Sequence, residues 1–199
     1  MTIIPKSQVT GIILAGGKSS RFGSDKALFE FNGKKLVEYS IEILTPLCGN
    51  LLLSTNQPEK FVFTELENIT DIYPNCGPVG GIHSCLLKSN TEHNLVIGCD
   101  LPWLETSLFH FLLQKSFGYQ VVMPSHNGFR ETMASYFHKS CADTLEQALN
   151  DKCYKIFDAI KSLKTYYPDI SNENFYSEKL FSNINYRGDI KQLIGEKKD

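Results

Sequence analysis

Short apolar runs alternate with stretches of helical spacing along this chain. Val9–Leu14 is a nearly continuous apolar run of strand length, Leu36–Leu44 repeats its apolar positions with a helical period, and Asn50–Ser54 is again strand-like. A helical stretch over Val79–Leu87 then precedes a strand-like run at Leu95–Cys99. Strand, helix, strand and helix in this order predict a parallel sheet. The run Leu95-Val96-Ile97, apolar towards both faces, predicts helices packed on each side of it. Further on, Tyr119–Pro124 reads as a strand, Met133–Phe137 as an antiparallel strand, and Ala142–Leu149 and Ile156–Leu163 as helices. Phe181–Ile184 reads as a last strand and Gly188–Ile194 as a closing helix. In open sheets of this kind ligands collect at the carboxyl ends of the strands.

Composition narrows the picture only a little. A chain of 199 residues is long enough to bury a full core and fits a single domain over 1–199. A net charge of −2 gives no electrostatic case for nucleic acid or a membrane surface as partner. The apolar stretches are strand-sized, and Met1–Gln8 lacks the hydrophobic segment of a leader, so a cytoplasmic location is expected. Six cysteines are scattered without a CxxC pair or matched histidine spacing, which predicts free thiols rather than a metal cluster or a disulfide framework.

The chemistry is concentrated where the first strand ends. Leu14 to Lys26 reads LAGGKSSRFGSDK, an apolar strand breaking into a glycine pair followed by cations. Without a Cβ, Gly16 and Gly17 let the backbone turn sharply and bring its N–H groups against phosphate oxygens. Arg21 can grip two phosphate oxygens with its planar fork, while Lys26 acts as a movable point charge suited to a reacting phosphate or a leaving pyrophosphate, with Asp25 beside it. Two better-known loops are excluded. A Walker A loop needs glycine at position 12, where Ile12 stands, and the spacing of Gly11, Gly16, Gly17 and Gly23 is not GxGxxG.

Other candidate positions follow further along. Asp100, in Ile97-Gly98-Cys99-Asp100-Leu101-Pro102, closes a central strand, where a carboxylate can bind Mg²⁺ that keeps water and triphosphate oxygens in its remaining positions. Asp71 precedes the turn Tyr73 to Gly81, which ends in a helix start with free N–H groups. Asn183 and Asn185 offer amide oxygens that could complete a magnesium shell, bind a sugar hydroxyl, or simply cap a loop. Lys6, Lys18 and Arg130 read either as a basic face for an anionic ligand or as solvated surface cations. The five histidines show no zinc-like spacing, and no GxSxG elbow is present, so hydrolase chemistry has no support.

LAGGKSSRFGSDKAL, Asp71 ahead of Cys76-Gly77-Pro78-Val79-Gly80-Gly81, the strand ending Cys99-Asp100-Leu101-Pro102, and Asn183-Ile184-Asn185 together resemble the molybdenum cofactor guanylyltransferase family in content and order. The resemblance runs from about residue 9 to 194. It implies a three-layer α/β/α Rossmann-like fold of the nucleotide-diphospho-sugar transferase type, with a mostly parallel sheet and one antiparallel strand. It also implies transfer of GMP from GTP to molybdopterin with release of pyrophosphate, Mg²⁺ as cofactor, and contact with proteins that deliver the pterin and receive the product. By the same resemblance Leu14, Ala15, Gly16 and Gly17 hold guanine and phosphates, Lys26 binds phosphate, Asp71 contacts the nucleotide, and Asp100 ligates Mg²⁺. The chain departs from the family pattern in three places. Ser54 occupies the position where some members carry asparagine, with Asn56 two residues on; Glu131 replaces a common proline; Tyr186 stands where threonine is frequent. The alternative is a CTP-dependent cytidylyltransferase acting on molybdopterin or a sugar-like phosphate, against which Gly16 weighs, because cytidine-using relatives tend to carry alanine there. A non-catalytic nucleotide sensor would have no use for Lys26 and Asp100 together.

Overall fold

The computed structural model describes residues 4–16 and 26–184. Seven strands form its central sheet: β1 (Val9–Leu14), β2 (Asn50–Ser54), β3 (Glu67–Ile69), β4 (His93–Gly98), β5 (Val121–Val122), β6 (Ala134–His138) and β7 (Thr165–Tyr166). Their spatial order is β7-β5-β6-β4-β1-β2-β3. All run in one direction except β6, which is antiparallel to both β4 and β5. Two short hairpins, Glu30–Phe31 with Lys34–Lys35 and Ser125–His126 with Phe129–Arg130, stand apart from the sheet.

Alternation of side chains across the sheet divides the core into two layers. On one face Ile13, Leu53, Leu95 and Ile97 pack with Val37 and Leu44 of α1 (Leu36–Leu44), and with Leu108 and Leu112 of the helix Thr106–Lys115. On the other, Ile12, Leu14, Leu52 and Val96 meet Val79, Ile82 and Leu86 of the helix Gly77–Lys88, and Leu145 and Leu149 of the helix Ala142–Asn150. In chain order these three helices are α2 (Gly77–Lys88), α3 (Thr106–Lys115) and α4 (Ala142–Asn150). The continuous apolarity of β1 and β4 therefore reflects burial on both faces, as expected for a covered parallel sheet. A third, smaller cluster joins Phe31, Leu36 and Ile184, with Trp103 against it.

Local chemistry starts the two helices that matter most for the site. The Glu38 carboxylate accepts from the Lys35 N–H at 2.7 Å, holding the entry to α1. Asn75 and Gly77 both have positive φ, 63° and 64°, and this left-handed turn swings the chain from the end of β3 into α2 with Pro78 in its first turn.

The observed elements depart from the sequence reading in four respects. The strand expected over Tyr119–Pro124 is reduced to Val121–Val122, because its β6 partner pairs only there. The helix expected over Ile156–Leu163 is a single turn, Ile156–Ala159, here α5; the chain must turn at Ile160–Leu163 to enter β7 at Thr165. Phe181–Ile184 is not a strand. Ser182 N–H closes a turn on Lys179 carbonyl, Phe181 stacks on His126 with centroids 4.8 Å apart, and Ile184 donates to Asp100 carbonyl, so these residues serve packing rather than a ladder. Helix α3 and the edge strands β3 and β7 were not legible, the strands being two or three residues long. Gly188–Ile194 lies outside the described residues.

All six cysteines are free, five of them buried, as expected. Burial pushes the thiols of Cys48 and Cys141 up to about 12, so both remain protonated and unreactive. Leu53, fully buried between β1 and β3, carries a clear expectation: Leu53→Ala should cost about 2–5 kcal/mol in urea denaturation, with the cavity term included.

Candidate active site

Parallel pairing lines up three strand ends. Leu14 lies opposite Ser54 on one side and Gly98 on the other. The ladders continue one step past the strands, with Ala15 N–H donating to Ser54 carbonyl at 3.0 Å and Cys99 N–H to Leu14 carbonyl at 3.3 Å. The loops leaving β1, β2 and β4 therefore diverge from a common edge, the carboxyl edge where ligands settle in such sheets.

Two groups of side chains stand on that edge. In the first, Lys26 Nζ donates to Asp100 Oδ2 at 2.9 Å across 74 positions of sequence. Their side chains are 20% and 30% exposed, so the pair is reachable by a ligand yet partly shielded from water. An ion pair in that setting adds no more than about 1 kcal/mol to stability. Its significance is the fixed juxtaposition of a cation and a carboxylate beside the glycine loop. Lys26 sits in a single 3-10 turn, Lys26–Leu28, whose Ala27 is buried in the main core. Asp100 is held from its backbone, its carbonyl accepting from Ile184 N–H at 3.2 Å. Gly98 leaves the room that the carboxylate uses, since a Cβ there would come within 3.1 Å of Asp100 Oδ1 and 3.2 Å of Met133 Cβ.

The second group centres on Asp71. Asn56 locks it at two points: Asn56 Nδ2 donates to Asp71 Oδ2 at 3.0 Å, and Asp71 N–H donates to Asn56 Oδ1 at 3.0 Å. Ser54 Oγ adds a long contact to Oδ1 at 3.5 Å. Burial raises the Asp71 carboxyl above its ordinary value, and the Asn56 and Ser54 hydrogen bonds offset only part of that. Gly81 of α2 admits the cluster, because a Cβ there would be 2.5 Å from Ser54 Oγ. Ser84, which the sequence reading passed over, ties the segment down by accepting Ile72 N–H at 2.9 Å and donating to Gly80 carbonyl at 2.9 Å. A serine in mid-helix gives no distinctive signal of such a role.

The structure thus brings Leu14, Ala15, Gly16, Ser54, Asn56 and Asp71 to one part of the edge, and Lys26 with Asp100 to another. Among the described residues, the nearest atom that a Cβ on Gly16 would meet is the Ser54 carbonyl oxygen, at 3.9 Å. Gly17, Lys18, Arg21, Asp25 and Asn185 lie outside the described residues. Lys6 does not belong here. It precedes the amino end of β1, on the opposite edge of the sheet, and cannot share a basic face with Arg130. Among the described residues no three His, Cys, Asp or Glu side chains group closely enough to hold a metal ion by themselves.

Comparison with known proteins gives a consistent result. Residues 11–165 match the family described as the MobA-like NTP transferase domain. A probable molybdenum cofactor guanylyltransferase from Carboxydothermus hydrogenoformans is 31% identical, over 94% of this chain and 95% of that protein. One from Pelotomaculum thermopropionicum is 28% identical over 92% and 90%. The crystal structure of molybdopterin-guanine dinucleotide biosynthesis protein A from Archaeoglobus fulgidus superimposes with a TM-score of 0.79 at 26% identity, covering 92% of this chain and 95% of that one.

The burial of Asp71 has a consequence for stability. Its folded-state pKa lies above the ordinary 3.8, so the folded protein binds that proton more tightly than the unfolded chain does. Stability should therefore fall as pH rises through the window that opens near 3.8, and this component should be flat above it. Urea denaturation of the wild type and Asp71→Asn across that window should show the difference between them changing in that sense, the variant lacking the titration.

Proposed function

Because the chain belongs to the MobA-like NTP transferase family, we propose that it transfers GMP from GTP to molybdopterin, forming the guanine dinucleotide and pyrophosphate. The observation that carries this reading is the Lys26–Asp100 pair at the carboxyl edge of the sheet. Asp71, Asn56 and Ser54, on the β2 side, would be the nucleotide contacts.

In the reaction a phosphate oxygen of the acceptor attacks the α-phosphorus of GTP, the bond from that phosphorus to the bridging oxygen breaks, and pyrophosphate leaves with the electron pair. The attacking oxygen is already anionic, so the protein needs no general base and contributes alignment and charge compensation. Lys26 would meet the phosphates, drawn there from a carboxylate that orients its ammonium. Arg21 would add a planar fork to the same phosphates. A single partly exposed carboxylate, with Gly98 leaving space beside Oδ1, suits Mg²⁺, which prefers one or two protein carboxylates and keeps water and phosphate as its other ligands. Asp100, with Asn185, would hold the ion; when bound it would neutralise charge on the triphosphate. A reducing, cytoplasmic setting accords with six free thiols. Proteins that deliver the pterin and take the product would approach the same edge.

Replacing Lys26 or Asp100 tests the assignment. Lys26→Ala and Asp100→Ala should each lower pyrophosphate release from GTP, molybdopterin and magnesium by about 10²–10³-fold. Circular dichroism and melting should stay close to wild type, the pair being worth little to stability. Calorimetry of GTP against CTP, with and without Mg²⁺, checks the base: a magnesium-dependent preference for GTP is expected, and preference for CTP would replace guanylyl by cytidylyl transfer.

A further inference from the structure

The hairpin between β5 and β6 carries an imidazole that three segments of the chain share. His126 Nε2 lies 3.0 Å from Glu131 Oε1, on the path from the hairpin into β6, and Nδ1 lies 3.2 Å from the Tyr176 hydroxyl, in the segment that follows β7. A carboxylate only accepts, so Nε2 donates, and Nδ1 of the neutral ring accepts from Tyr176 O–H. The Tyr176 oxygen accepts in turn from Asn127 Nδ2 at 3.0 Å. The hydrogen bonds thus run one way, from Asn127 through Tyr176 and His126 to Glu131. With His126 and Glu131 side chains 16% and 27% exposed, the chain of bonds is shielded enough to hold its geometry. Glu131 N–H also donates to Pro124 carbonyl at 2.9 Å. A proline at that position could make neither of the two Glu131 bonds.

The face of the same imidazole leads to Asp100. Phe181 stacks on it with centroids 4.8 Å apart and planes 15° from parallel. Three residues on, Ile184 N–H donates to Asp100 carbonyl at 3.2 Å, so the chain path from the stacked ring to that bond is at most about 11 Å. Between the two points the chain closes into turns, Leu180 N–H on Ser177 carbonyl and Ser182 N–H on Lys179 carbonyl, and Leu180 and Ile184 are fully buried. Residues 177–184 lie in neither helix nor strand, so the ladder that fixes the end of β4 does not fix them. On the other flank, Glu131 is two residues before Met133, whose carbonyl accepts from Gly98 N–H at 2.8 Å. His126 therefore ties together the two segments that border Asp100: the one entering β6, which holds Gly98, and the one that holds the Asp100 carbonyl and continues to Asn185.

We infer that His126 and Glu131 are positioning residues for the metal site, holding Asp100 and the chain that leads to Asn185 in the arrangement that binds Mg²⁺. Both act through Phe181, Ile184 and Met133 rather than by contact with the ion or the nucleotide. Mg²⁺ demands near-ideal octahedral geometry, so the groups that orient its carboxylate bear directly on its affinity. The inference rests on the reading of Asp100 as the ion's carboxylate.

Calorimetric titration of the full chain with GTP, once in Mg²⁺ and once in EDTA, tests it without turnover, since no acceptor is present. Wild type should bind more tightly in Mg²⁺. Glu131→Ala and His126→Ala should each weaken binding in Mg²⁺ about tenfold or more and leave binding in EDTA unchanged, because the nucleotide contacts lie on the β2 side. Glu131→Gln, whose amide oxygen still accepts from Nε2–H, should recover most of the loss. Glu131 is exposed enough for its alanine variant to fold, so the test stands even where His126→Ala does not. An equal loss in Mg²⁺ and in EDTA would mark a merely structural role and overturn the proposal, as would wild-type binding by Glu131→Ala. Asp100→Ala separates the two claims. If it too keeps the full magnesium dependence, Asp100 is not the ion's carboxylate and both readings fall; if it loses that dependence while Glu131→Ala keeps it, the brace alone falls.

Discussion

Register between β1 and its two parallel neighbours is the constraint on which the site depends. A slip of one residue in either ladder would turn Leu14, Ser54 and Gly98 to the wrong faces and drive the apolar side chains of β1, β2 or β4 into the opposite core layer, which is packed around other residues. Full burial on both faces makes that slip costly in both directions, because Ile12 and Ile13 each belong to a separate, tightly packed layer. The chemistry at the edge therefore inherits its precision from the core. Lys26 and Asp100, distant in sequence, meet because one is anchored by buried Ala27 and the other follows a strand whose position the ladder has already set.

Against that rigid base, the site contains groups that do little for stability. Asp71 is drawn into a half-buried place where its charged form is disfavoured, and the hydrogen bonds its carboxylate accepts from Asn56 Nδ2 and the Ser54 hydroxyl compensate incompletely. Gly81 and Gly98 leave room for side chains of the site, Ser54 and Asp100, alongside the apolar side chains of Leu14 and Met133. Each concession is local, and the double-layered core absorbs it. Such an arrangement is what a ligand-binding edge requires: polar groups held in fixed positions at some cost to stability.

Periodicity made most of the fold legible. β1, α1 and β2 were readable to the residue, and the antiparallel β6 to within one, because buried strands and amphipathic helices impose a strong pattern. What could not be read follows from missing pattern. β3 and β7 contribute two or three residues each to the sheet margins, too few for any period to develop, and α5 ends after one turn because the chain has to reach β7. Phe181–Ile184 has the apolar content of a strand, yet its residues are used singly, Phe181 against His126 and Ile184 beside Phe31 and Leu36. Among site residues, Asp100 and Lys26 announced themselves by position after strands and glycines. The link from Asn56 to Asp71 was less visible, since it depends on how two loops from neighbouring strands meet.

The reversed strand has a consequence that a fully parallel sheet would lack. Because β6 enters at the carboxyl edge, the polypeptide approaching it must arrive there from β5, and the Ser125–Arg130 hairpin is the path it takes. That return brings Met133 against Gly98, next to Asp100, and sets Arg130 over Tyr167 on the far side. A parallel strand in the same place would arrive at the amino edge and leave the flank of Asp100 to a helix crossover. The single antiparallel strand therefore divides the edge into a half built from β1, β2 and β3, with its amide-held aspartate, and a half built from β5 and β7, where Arg130 stacks on Tyr167.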